Sequence, residues 1–153
     1  MSAPNQPPNK GGPLVPSRPI NFSINIEGPD GEDADPVTDN EVREMPFDGL
    51  VTKAYVDIPD GVHSRAGFAV WHKSRKDRYF PYNEEDDWAA FNDVQNWWDV
   101  TFVAEEGDEL EVRYINEDHQ AEGHLLKVWL MVVGIEALPA SMQEYARRDG
   151  VSL

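Results

Sequence analysis

The chain has 153 residues, with 29 Asp and Glu against 13 Lys and Arg, a formal net charge of −16, and no cysteine. That balance excludes a nucleic-acid binder working through a basic face, and the absence of thiols excludes disulfides, thiol catalysis, iron–sulfur clusters and blue-copper sites. No apolar run approaches the ~18 residues of a membrane-spanning helix, and no basic region followed by an apolar core marks a secretory signal.

Residues 1–19 hold Pro4, Pro7, Pro8, Pro13, Pro16 and Pro19 with Gly11 and Gly12. Proline removes backbone donors and fixes φ, so this stretch reads as an extended arm that cannot fold alone. Such an arm is expected to lie against a neighbouring copy or another protein. Ile20 to Glu27 then alternates apolar and polar, the pattern of a half-buried strand. After the turn Gly28-Pro-Asp-Gly31 the chain becomes strongly acidic, and Glu32 to Glu44 reads as a loop. Residues 27–48 carry a net charge of −8, against +2 for residues 1–26.

Further strands are expected over Leu50 to Ile58, Ala66 to Trp71, Trp98 to Ala104, Glu109 to Tyr114 and Leu125 to Ile135. In the fourth of these strands Leu110, Val112 and Tyr114 point inward and the charges outward. Leu125 to Ile135 is apolar on both faces, as in a central or covered strand. The three-residue spacing of Trp88, Phe91 and Val94 predicts a short helix over 87–95. Ser141 with Glu144 fits a capping box for a second helix. Strands spaced near ten residues and joined by Gly, Pro and Asp turns predict an all-β fold, an antiparallel β-sandwich or jelly roll with an extended N-terminal arm and one or two short helices. The corresponding division is arm (1–19), first strand and acidic loop (20–48), sandwich core (49–137), and short C-terminal helix and tail (138–153).

Groupings that carry chemistry are few. His119 and His124, with Glu117, Asp118 and Glu122 nearby, could supply metal ligands, but their spacing matches no closed zinc pattern, and a polar hairpin tip is the preferred reading, so no metal site is expected. Asp30 to Asp35 offers alternating oxygen ligands without the EF-hand arrangement, so a solvated acidic loop is the competing reading. No G-x-S-x-G, H-E-x-x-H, P-loop or G-x-G-x-x-G occurs. Glu84 to Asp87 beside Trp88 could imitate a glycosidase carboxylate pair, but adjacency in sequence does not place two carboxylates across a cleft. No enzyme activity and no cofactor is therefore expected.

The most uneven stretch runs from His72 to Asp87. Lys73, Arg75, Lys76 and Arg78 fall within six residues, followed by Tyr79, Phe80 and Tyr82 and then by acids. Aromatics and Arg are typical interface residues, so this segment, with Pro13, Leu14, Val15 and Arg18 of the arm, is the expected docking surface. The alternative is a solvated hairpin with internal ion pairs. Trp88, Trp97 and Trp98 could instead form a sugar-stacking platform.

Excess acid, Arg outnumbering Lys and abundant Val resemble the proteins of haloarchaea and their viruses. With the arm Met1 to Pro19, the strand Ile20 to Glu27 and the block Trp98 to Ile135, the chain resembles virion structural proteins of haloarchaeal tailed viruses, of the capsid decoration or turret type. That resemblance implies a non-enzymatic homo-oligomer in the virion, made in the host cytoplasm and exposed to high salt. Its implied partners are other virion proteins such as the major capsid protein, with no nucleic acid and no membrane. A carbohydrate-binding or host-recognition β-sandwich module is the alternative.

Overall fold

The structure is a computed structural model that describes residues 17–81, 87–119 and 123–135. Among these residues are nine strands: β1 (Ser17–Glu27), β2 (Val37–Glu44), β3 (Gly49–Ile58), β4 (Ala66–His72), β5 (Asp77–Phe80), β6 (Ala89–Ala90), β7 (Val94–Ala104), β8 (Glu109–Asn116) and β9 (Gly123–Gly134). They form two antiparallel sheets, one ordered β1-β9-β3-β7 and the other β2-β8-β4-β5, with β6 pairing on β4. Except for the β4–β5–β6 run, each successive strand crosses to the opposite sheet. Apart from the two-residue β6, four strands per layer with this winding make a jelly roll, the architecture expected from the strand spacing.

Period-two alternation decides which side chains meet between the layers. Phe22, Ala54, Val56, Val100, Phe102, Leu126, Val128 and Leu130 come from one sheet; Phe68, Val70, Leu110, Val112 and Tyr114 come from the other, and all are buried. These side chains pack together as one hydrophobic cluster. Leu110, Val112 and Tyr114 point inward as expected, and β9 lies between β1 and β3. At the start of β3 the backbones pack so closely that a Cβ on Gly49 would lie 2.1 Å from the carbonyl oxygen of Val133. Only glycine fits there.

Three expectations need correction. The acidic segment is not all loop, because Val37–Glu44 forms the edge strand β2, paired along its length with β8. Its polar composition suits an edge, where charged side chains discourage further strand addition. The helix predicted over 87–95 does not form. Trp88 lies over the five-stranded sheet, Phe91 stacks on Trp98 at 5.3 Å, and Val94 opens β7 opposite Ile58. Asp93, at φ 50°, separates the last two environments. On β8 the acids do not all face water, since Glu111 is 4% exposed. Among the described residues a 3-10 turn spans Lys73–Arg75. The C-terminal helix expected after residue 138 lies outside the described residues.

Candidate interaction surface

The outer face of the four-stranded sheet is built by the residues out of phase with the core. On β3 these are Lys53, Tyr55 and Asp57; on β9 they include Leu125, Lys127, Trp129 and Met131; on β7 they include Gln95, Trp97 and Asp99. Register brings Trp97, Tyr55, Trp129 and Asn21 side by side across β7, β3, β9 and β1. The Tyr55 ring sits 5.1 Å from Trp97 and 5.3 Å from Trp129, centroid to centroid. Trp97 is 44% exposed, Trp129 37% and Leu125 43%, so large apolar side chains are left in water.

Charges flank this row in opposing pairs. Lys53 lies opposite Asp99 on one side of it, and Asp57 lies opposite both Lys127 and Gln95 on the other. Two of the five lysines thus sit on this sheet face, which is close to neutral in a chain of net charge −16. An aromatic centre with a balanced polar rim is the composition of a protein interface.

The outer face of the five-stranded sheet differs. Trp88 borders three adjoining depressions of about 420, 250 and 240 Å³. Thr38 and Asn40 of β2, Glu111 and Arg113 of β8, Trp71 of β4 and Arg78 of β5 contribute to their walls. Asn40 Nδ2 and Arg113 Nε each donate a 2.7 Å hydrogen bond to the Glu111 carboxylate, one to each oxygen. The Arg113 guanidinium lies 4.0 Å over the Trp71 ring, and Arg78 pairs with Asp87 at 3.4 Å.

The candidate residues from the sequence are dispersed. Trp97 and Trp98 project to opposite faces of β7, while Trp88 lies on the other sheet, so the three indoles form no common platform. Trp98 stacks inward on Phe91, and its buried Nε1 has no hydrogen-bond partner. Tyr79 and Phe80 also belong inside, stacked on Phe102 and Phe68 at 4.2 and 5.6 Å. A register shift in the β4–β5 ladder turns these two consecutive rings to the same side, which strict alternation could not reveal. Lys73 and Lys76 are exposed on the β4–β5 connection, Arg75 is half-buried, and Arg18 is exposed near the start of β1. Pro13, Leu14, Val15 and Tyr82 lie outside the described residues.

The histidines make local clamps. His124 Nε2 contacts Asp118 Oδ2 at 2.7 Å, and Arg65 reaches the other oxygen of that buried carboxylate at 3.4 Å. His119 instead meets the Gly31 carbonyl at 2.7 Å. His72 is buried; its Nδ1 accepts from Arg75 N–H, which leaves Nε2–H to donate to Asp108 at 3.0 Å. Desolvation pushes the His72 pKa below its ordinary value, against the pull of Asp108. Among the described residues no three His, Asp or Glu side chains converge as metal ligands. The sequence matches no family model and no curated protein.

The sequence alone does not mark Tyr55, Trp129, Glu111 or Asn40 as site residues. Tyr55 and Trp129 had a signal, since each interrupts an apolar alternation with a ring on the solvent side. Their adjacency depends on strand register, which a single sequence does not display.

Proposed function

We propose that the chain is a non-enzymatic structural subunit that assembles through the outer face of its four-stranded sheet. The Trp97–Tyr55–Trp129 row carries this reading: it is an aromatic patch on rigid strands, left in water by the monomer. Tyr55 is tilted 57° to Trp97 and 36° to Trp129, so the row presents no single plane for a sugar chain. Interdigitation with side chains of another protein suits that relief better. The near-neutral rim lets a second acidic copy approach without the repulsion felt elsewhere on the surface.

The setting we propose is a virion, with the chain as a capsid decoration or turret subunit. Supporting this are the halophile-like composition, the Pro-rich arm preceding edge strand β1, and the jelly roll itself, an architecture shared by viral capsid domains, lectins and cupins. Fold alone does not choose among those uses. Homo-oligomerisation and contact with a major capsid protein are the corresponding partners. Acrylamide quenching of tryptophan fluorescence tests the surface. As full-length protein is concentrated, two of its five indoles should become protected. Quenching that stays constant while the protein self-associates would place the interface elsewhere.

A further inference from the structure

We infer that the cleft around Trp88, on the sheet opposite the proposed assembly face, binds a neutral saccharide. Three observations lead there. Its floor is preorganised: Glu111, with its side chain 5% exposed, holds both Asn40 and Arg113 through its two oxygens. A carboxylate has about four acceptor sites, and these two bonds leave part of that capacity unused. The remaining amide and guanidinium valences of Asn40 and Arg113 supply paired donors and an acceptor, the complement of vicinal hydroxyls.

Charge selects the class of ligand. Each cation lining the three depressions already has a carboxylate partner: Arg113 with Glu111, Arg78 with Asp87 and Arg65 with Asp118. The cleft therefore lacks the surplus positive charge that would recruit a phosphate, sulfate or carboxylate ligand into a chain of net charge −16. Aromatic surface is the third element. Arg113 covers Trp71 from 4.0 Å, while Trp88 is half-buried and borders all three depressions. An indole beside hydrogen-bonding side chains suits the apolar face and hydroxyl rim of a pyranose. This arrangement is distinct from a Trp88, Trp97 and Trp98 platform, which the fold does not assemble.

The test uses the full chain on an array carrying neutral glucose-, galactose- and mannose-based oligosaccharides beside sialylated and sulfated ones. Neutral glycans should be retained, and titration of the best of them should shift the Trp88 indole N–H resonance. Trp88→Ala and Asn40→Ala should each weaken binding by roughly tenfold or more, Trp88→Tyr should retain part of it, and Thr101→Ala on the opposite sheet should leave it unchanged. Wild-type indole shifts keep the assignment testable if a variant fails to fold. Retention of anionic glycans alone, no glycan retained, or binding insensitive to Trp88 and Asn40 would overturn the inference.

Discussion

The Tyr114 hydroxyl donates a 2.9 Å hydrogen bond to Glu41 Oε1, and the same oxygen accepts the backbone N–H of Ser23 at 2.8 Å. Tyr114 lies in β8, Glu41 in β2 and Ser23 in β1, so one carboxylate ties the two sheets along one side of the sandwich. Burial and the neighbouring Glu41 charge hold the phenol well above the usual tyrosine range. Tyr114→Phe should cost about 1.5–3 kcal/mol, the usual worth of a hydrogen bond to a charged group. Glu41→Ala should cost more, because it also leaves the Tyr114 hydroxyl buried without its acceptor. Urea denaturation of the two variants checks the order, and a reversed order would contradict the clamp.

His72 gives the pH dependence a sign. Its pKa in the folded protein lies below the ordinary 6.5, with Asp108 and Arg75 as the charged groups facing it. The unfolded chain therefore takes up the proton first as pH falls. The stabilisation is complete above 6.5 and is lost as pH drops through the folded value. Melting temperatures of wild type and His72→Gln should converge on acidification. Parallel profiles between about pH 7 and 5 would show that this ring does not set the response.

Salt acts on the whole surface. A chain of charge −16 repels itself, and the screening length shrinks from ~10 Å at 0.1 M to ~3 Å at 1 M salt. Raising KCl over that range should raise the melting temperature. A flat or falling curve would contradict the halophilic reading.

Lys73 and Lys76 project from the β4–β5 connection. Reversing both to Glu should change stability by less than about 1 kcal/mol, because exposed ion pairs contribute little. Association measured by light scattering should weaken at low salt and recover at high salt if these bases help steer copies together. Equal association at both salts would leave them as a solvated turn.

The core was legible in the sequence because alternation survives in one dimension. Ile20, Phe22 and Ile26, and likewise Leu110, Val112 and Tyr114, announce their inward faces wherever the strand is set. The edge strand β2 was hidden, since its side chains serve the rim: Asn40 to Glu111, Glu41 to Tyr114 and Arg43 over the Phe22 ring. A strand whose partners are polar and distant resembles a loop. The surface rows were hidden for another reason. Tyr55 and Trp97 are 42 positions apart, and only the β3–β7 register makes them neighbours.

The aromatic row is tested most directly by sedimentation of wild type and the Trp97→Ser/Trp129→Ser double variant across a concentration series. Both side chains are outward and part-exposed, so the double variant should keep the wild-type melting temperature to within about 1 kcal/mol of stability. Wild type should sediment as an oligomer and the variant as a monomer over the same range, because truncating two central aromatic anchors removes most of an interface's affinity. A double variant that is folded and associates as wild type does would contradict assembly through this face.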